Sequence, residues 1–150
     1  MEILKVIAMA SAEFKPGKSL LVSVEHNSDI IRFITELAEK KGIAAGTFTA
    51  IGALKHAKLG FYDQQKHEYR EMTLNSPQEI ASCTGNISLK KGKIFVHAHA
   101  VLADENGNTK GGHLFEGIVF AGEVHLRELK GIKLERKYDE ATDLLLWDIS

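Results

Sequence analysis

The stretch that decides the fold is "KIFVHAHAVLADENGNTKGGHLFEG", from Lys93 to Gly117, because it predicts a strand, a reverse turn and a returning strand. It holds three of the chain's seven histidines: His97, His99 and His113. Side chains alternate along a strand, so His97 and His99 lie on one face and the small apolar residues between them face the other way. Two imidazoles on one face can converge on a single metal ion.

The turn decides whether His113 joins this pair, and the sequence leaves two registers open. If "NG" at 106–107 forms a two-residue type I′ turn, Ala100 lies opposite His113, which then faces away from the pair. If Asp104 instead opens a type I turn and the glycine takes a left-handed bulge position, His99 lies opposite His113. All three imidazoles then share one face, about 5 Å apart at their Cβ atoms.

In the second register the sequence predicts a metal site formed by His97, His99 and His113. Zinc is the expected ion because neutral imidazoles suit its tetrahedral shell, and a fourth position stays open for water or substrate. The alternative is that His97 and His99 are half-buried histidines bonded to backbone, with His113 in a loop. Cys83, on the preceding strand, is a weaker candidate for a soft fourth ligand, since a buried, inert thiol is the commoner state.

The length and composition predict one soluble globular domain over residues 1–150. The chain has 44% hydrophobic and 26% charged residues, and no apolar run reaches the roughly 20 residues that a membrane-spanning helix needs. The N-terminal segment carries Glu2 and no basic leader, so we expect no secretory signal and a cytoplasmic location. Cys83 is the only cysteine, which excludes an internal disulfide.

The charge balance gives little support for direct DNA binding. The formal net charge is −1, whereas affinity for nucleic acid depends largely on Lys and Arg that displace counterions from phosphates. Short basic runs occur at 89–93 and 130–137, and runs of this kind are usually turns or solvated strand faces.

One amphipathic helix is predicted between residues 28 and 42. Leu20, Val22 and Val24 alternate as in a strand, and the apolar period then changes to about four. Ser28 is the expected N-cap, and Gly42 supplies the left-handed stop.

The rest of the chain reads mostly as strands with short connections. The predicted strands are Ile3–Met9, Thr47–Ile51, Ala57–Tyr62, His67–Leu74, Ser82–Leu89, Lys93–Ala103, His113–Phe120 and Glu123–Glu128. Many strands and few helices predict an α+β fold, with a largely antiparallel mixed sheet or partly closed barrel and one main amphipathic helix.

Three longer segments together resemble a known family. They are "GTFTAIGALKHAKLGFYD" (46–63), "GNISLKKGKIFVHAHAVLADENG" (85–107) and "GGHLFEGIVFAGEVHLREL" (111–129), and they resemble the plants-and-prokaryotes conserved (PPC) domain. The resemblance implies an α+β fold, a homotrimer and, as in prokaryotic members, a metal at His97, His99 and His113. Plant members carry DNA binding on an AT-hook, and this sequence has no such Arg-Gly-Arg-Pro segment, so we expect that role to transfer poorly.

Two functions follow as hypotheses. The first is a metal-binding homotrimer with an assembly or regulatory role, touching DNA through a partner. The second is a zinc-dependent enzyme for a small carbonyl or carboxylate substrate, by fold similarity to α-acetolactate decarboxylase, whose zinc is also held by three histidines. An enzyme needs an acid or base beside the metal, and the sequence alone identifies no catalytic residue.

Overall fold

The fold is a six-stranded sheet that nearly closes on itself, seen here in a computed structural model that describes residues 10–149. The elements are β1 (Lys15–Val24), α1 (Ile30–Lys41), β2 (Gly46–Asp63), β3 (Glu68–Leu74), β4 (Gln78–Lys90), β5 (Lys93–Ala103), β6 (Thr109–Lys130), β7 (Arg136–Asp139) and β8 (Leu144–Trp147). The sheet order is β1-β6-β5-β4-β2-β3, and β7 and β8 form a separate two-stranded sheet. The predicted strand Ile3–Met9 lies outside the described residues.

A second pairing of β6 turns part of this sheet into a ring. β6 pairs with β5 on one side and with β2 on the other, so that β6, β5, β4 and β2 enclose the core. The ring is incomplete because β5 and β6 pair only from Ala103↔Thr109 to His99↔His113. Helix α1 packs against both of these strands. This arrangement confirms the predicted α+β fold with a partly closed, antiparallel barrel.

Two predicted pairs of strands are single long strands in the structure. β2 is one strand of 18 residues and β6 is one of 22, whereas two separate strands were predicted in each of these regions. The physical reason is that glycines here bend strands without ending them. At Gly52, opposite Gly122, the backbone takes φ 137° and the register shifts nearby, which lets a long strand coil around the barrel.

The helix lies where it was predicted, but its N-cap differs. Asp29, not Ser28, accepts the N–H of Arg32 at 2.8 Å, whereas the Ser28 hydroxyl donates to the carbonyl of Glu25. The other Asp29 oxygen accepts the N–H of Gly117 in β6 at 2.9 Å. Asp29 therefore caps the helix and ties it to the barrel, a dual role that needs a long-range partner absent from the local pattern.

Alternation along the strands separates a buried interior from an open outer face. The interior is closely packed with fully buried side chains, including Ile30, Ile34, Leu54, Leu59, Ile87, Leu102, Leu114 and Leu126. The outer face leaves large apolar side chains uncovered, with Leu21 84% and Ile51 57% exposed. In the described part of the chain, no helix is both long and apolar enough to cross a membrane.

The hairpin formed by β7 and β8 was not predicted. It pairs Arg136 with Trp147 and Asp139 with Leu144. Its strands have four residues each, too short for a clear alternation of apolar and polar positions. An isolated bridge between Leu89 and Glu135 attaches the hairpin to the end of β4.

Candidate metal centre

Strand β5 positions two of the three histidines. Val96, Ala98 and Ala100 are buried in the barrel, so the alternation of the strand turns His97 and His99 to the outer face. The neighbouring strand β4 places Asn86 opposite His97 and Thr84 opposite His99. The two imidazoles therefore project side by side from the outer face of the sheet, as the sequence predicted.

The turn after β5 takes the second of the two predicted registers. The N–H of Asp104 donates to the carbonyl of Asn108 at 3.0 Å, and Gly107 has φ 79°. The carboxylate of Asp104 also accepts the N–H groups of Asn106 and Asn108 at 2.9 and 3.0 Å. This turn places His113 directly opposite His99.

The three imidazoles meet closely enough to share one ion. The Nε2 atoms of His97 and His99 are 3.2 Å apart, and one ring nitrogen from each of the three histidines lies within 4.8 Å of the others. Nitrogen ligands of a tetrahedral zinc ion are about 3.3 Å apart when each Zn–N distance is 2.0 to 2.1 Å. The spacing of the first pair already matches that value.

The protonation states suit metal binding. Burial, with the charges of His113, His99 and Arg136, lowers the pKa of His97 to about 4. Burial, with the charge of His99, lowers the pKa of His113 to about 4 as well. Both rings are therefore neutral at pH 7 and keep a lone pair for an ion.

One ring nitrogen of His113 lacks a hydrogen-bond partner among the described residues. Its Nδ1 is buried and has no hydrogen-bond partner among the described residues, and its ring packs against Tyr69 and Phe115 at centroid distances of 5.1 and 4.5 Å. An unpaired buried polar atom is costly, and coordination is one way to satisfy it. The donor set, its spacing and this nitrogen all fit a zinc ion.

Other candidate residues do not join the cluster. Cys83 pairs with Ala100 on the buried face, and burial raises the pKa of its thiol to about 11, as expected of an inert thiol. His56, His125 and His26 have their own polar neighbours: Glu116, Ser19 and the carbonyl of Phe120.

Sequence reasoning missed Arg136, which lines the same cavity as His97 and His113. Its segment was noted only as a short basic run, and its burial depends on the hairpin that was not predicted. The sequence around it, "KLERKYDE" at 133–140, is charged, and no local signal distinguishes this arginine.

The fold and the site together define a class of protein: a small antiparallel barrel with a three-histidine cluster on its outer face. The model of the Plants and Prokaryotes Conserved (PCC) domain matches residues 11–130. The chain belongs to this family, abbreviated PPC above, which confirms the resemblance.

Solved structures with the same fold include close relatives. A metal-containing protein from Archaeoglobus fulgidus is 45% identical, with a TM-score of 0.89 over 93% of this chain and 99% of that one. A PPC protein from Pyrococcus horikoshii is 40% identical, with a TM-score of 0.89 over 93% and 97%. A candidate DNA-binding protein from Bacteroides thetaiotaomicron is 26% identical, with a TM-score of 0.82 over 92% and 97%.

Two further matches are more distant. Bifunctional protein GlmU from Synechococcus is 30% identical over 78% of this chain, and the chain spans only 18% of that protein's length. Acetolactate decarboxylase from Bacillus subtilis is 13% identical, with a TM-score of 0.51 over 82% of this chain and 56% of that one. At that identity the two proteins share a fold, and activity does not follow from it.

Proposed function

We propose that this chain is a metal-binding PPC domain that holds one zinc ion at His97, His99 and His113. The observation that carries the proposal is the convergence of three imidazole nitrogens within 4.8 Å. The metal-containing relative from Archaeoglobus fulgidus supports it. When bound, a zinc ion with three protein ligands supplies an open coordination position and a Lewis acid.

The domain's proposed role is assembly or regulation as a homotrimer. A row of directly paired residues crosses the outer face of the sheet, from Leu21 through His125, Thr49 and Thr84 to His99. Leu21 is the most exposed of the large apolar side chains and lines a groove of about 500 Å³ together with Ile51. An apolar groove on a sheet face favours contact with another subunit, and here that contact would border the metal centre.

Removing two of the ligands is expected to remove the metal. Protein purified without added metal should carry about one zinc ion per chain, because three neutral imidazoles and a water in the fourth position complete the tetrahedral shell of zinc. A His97→Ala/His99→Ala variant should carry less than about a tenth of that amount, since one imidazole alone binds weakly. Element analysis of both proteins provides the measurement.

The matched control is a His125→Ala variant, which removes a histidine of the same outer face that bonds Ser19. It should keep the metal of the unmodified protein. Equal metal in the unmodified protein and the double variant would contradict the metal centre.

Trimer formation should depend on the apolar groove at Leu21. A Leu21→Asp variant is expected to shift the protein from trimer to monomer at micromolar concentration, because it places a charge in the apolar groove. Light scattering coupled to size exclusion measures the mass. Ile132→Asp is the control, since Ile132 is 51% exposed in the loop between β6 and β7. A trimeric Leu21→Asp variant would contradict the proposed interface.

A second candidate function is a zinc-dependent enzyme for a small carbonyl or carboxylate substrate. The observation in its favour is a cavity of about 510 Å³ that His97 and His113 line in common. If EDTA strips the metal and the trimer persists, the metal is not needed for assembly, and this candidate gains support.

Direct DNA contact has less support and is assigned to a partner. The net charge is −1, and the basic run at 130–137 is partly used inside the molecule. Its Arg136 is held by three internal hydrogen bonds, and Lys133 lies 3.9 Å from Glu135.

A further inference from the structure

The cavity beside the histidines has one wall supplied by the β7–β8 hairpin. Its volume is about 510 Å³, and its lining includes Phe95, His97, His113, Phe115, Arg136 and Leu145. The wall is mainly aromatic and aliphatic, and its polar side chains include the two imidazoles, the Arg136 guanidinium, the Lys90 ammonium and the Asp143 carboxylate. Pockets of this composition bind small ligands that have an apolar body and a few polar atoms.

Arg136 is fixed next to His97. Its Nε donates to the Ser88 hydroxyl at 2.8 Å, Nη1 to the Leu145 carbonyl at 3.0 Å and Nη2 to the Asn86 side-chain oxygen at 3.0 Å. Asn86 is the direct cross-strand neighbour of His97. The guanidinium is therefore held rigidly on the same sheet face as the metal ligands.

Aromatic rings hold the same guanidinium from other directions. Its Cζ lies 5.1 Å from the centre of the Phe95 ring and 5.9 Å from that of Trp147. A stacked guanidinium keeps its orientation and loses part of its hydration. Burial lowers the pKa of Arg136 accordingly.

The guanidinium of Arg136 has no carboxylate directly beside it. Within the described residues, no carboxylate oxygen lies within 4.0 Å of the Arg136 nitrogens. The ammonium of Lys90 lies 4.9 Å from the centre of the same Phe95 ring. Asp143 is the acidic residue of the lining, and it accepts the hydroxyl of Tyr138 at 2.7 Å. The charged side chains of the lining, Lys90, Arg136 and Asp143, therefore carry a net positive charge. A divalent ion at the histidines would add to that charge.

The hydrogen bonds of Arg136 leave donors for a ligand. Each terminal nitrogen carries a second N–H, and neither of these has a partner in the described part of the chain. Two parallel N–H groups on one guanidinium match the two oxygens of a carboxylate. Arg136 therefore keeps donors that an anion can use.

We propose that Arg136 is the anion-binding residue of this cavity and holds the carboxylate of a small aliphatic acid. The apolar chain of the ligand packs between Phe95, Phe115 and Leu145, and its far end faces the open position of the metal centre. The contact between the far end of the ligand and the metal rests on the metal centre proposed above. The contact between the carboxylate and Arg136 does not depend on it.

The experiment uses a matched pair of probes, butyrate and butyramide, which have nearly the same shape and differ in charge. Trp147 is the chain's single tryptophan and lies against Arg136, so its fluorescence reports occupancy on that side. Cobalt in place of zinc gives a visible absorption band that reports contact with the metal. The full-length protein is titrated with each probe, both cobalt-loaded and after EDTA treatment.

Butyrate is expected to change the Trp147 fluorescence with saturation and to bind at least tenfold more tightly than butyramide. An Arg136→Gln variant should bind butyrate at least tenfold more weakly and keep its cobalt. Arg70→Gln is the control, because Arg70 also stacks on a ring, that of Phe61 at 5.0 Å, but outside this cavity. It should bind butyrate as the unmodified protein does.

Equal affinity for the two probes, or unweakened butyrate binding by Arg136→Gln, would overturn the proposal. Should Arg136→Gln fail to fold, Arg136→Lys applies the same criterion, since lysine keeps the charge and loses the paired donors. A protein that takes up no cobalt refutes the metal centre, and the titration of the EDTA-treated protein then decides the role of Arg136. A fluorescence change without a cobalt change supports Arg136, because the methyl end of butyrate cannot coordinate a metal. A change of the cobalt band on butyrate binding would place the carboxylate on the metal and overturn the proposal.

Discussion

A Gly52→Ala variant is expected to lose about 4 kcal/mol of its free energy of unfolding, a large part of the stability of an ordinary domain. The backbone of Gly52 has φ 137°, a conformation that costs a residue with a side chain about 1 to 3 kcal/mol. The new Cβ would also collide with the carbonyl oxygen of Ala121 and lie 2.8 Å from the Cα of Gly122. These are backbone atoms of β6 and cannot rotate away. Urea denaturation measures the loss.

The matched control for this prediction is Gly107→Ala. Gly107 also has a positive φ, 79°, but an added Cβ would meet nothing within 4 Å. Its cost should be about 1 kcal/mol, the strain of the left-handed conformation alone. Equal losses in the two variants would show that β2 and β6 are not held together tightly at this bend.

Metal-free protein is expected to lose about 2 to 3 kcal/mol of stability between pH 6.5 and pH 4 because of His97 and His113. Their pKa is about 4 in the folded state and about 6.5 in the unfolded chain. Above pH 6.5 both states are neutral and the two residues have no effect. As the pH falls below 6.5 the unfolded state takes up protons first, so stability declines until the folded pKa is reached. The figure is reduced for solvent screening, since both rings are only half-buried.

A His97→Gln/His113→Gln variant isolates this effect. Both proteins, treated with EDTA and held at one concentration, are unfolded with urea at a series of pH values. The variant should be less sensitive to pH between 6.5 and 4. Carboxylates with a lowered pKa, such as Asp63 and Glu128, also lose stabilisation in acid, but they do so equally in both proteins. Identical pH dependence would mean that the histidines are well solvated in the folded state.

Much of the candidate site could be predicted from the sequence because its geometry is local. Strand alternation placed His97 and His99 on one face, and a type I turn with a bulge at Asp104 and Gly107 was one of the two registers that the sequence left open, the one that brings in His113. The helix and its stop at Gly42 followed from the period of the apolar residues for the same reason. Each of these features depends on residues a few positions apart.

Predictions failed where a distant partner decides the outcome. β2 and β6 were each predicted as two separate strands, yet the pairing of β2 with β6 carries both through the bends at their glycines. Asp29 replaced Ser28 as the helix cap because its second oxygen also bonds Gly117 in β6.

By itself, the sequence determined most of the strands, the helix and the shared face of His97 and His99, since short-range backbone preferences and strand alternation act within the neighbourhood of each residue. Only the tertiary structure decided that the barrel closes through β2 and β6 and that Arg136 lies beside the candidate metal centre. The reason is that these contacts join segments dozens of residues apart, such as Arg136 and Asn86. Their formation depends on which surfaces are buried together when the whole chain folds.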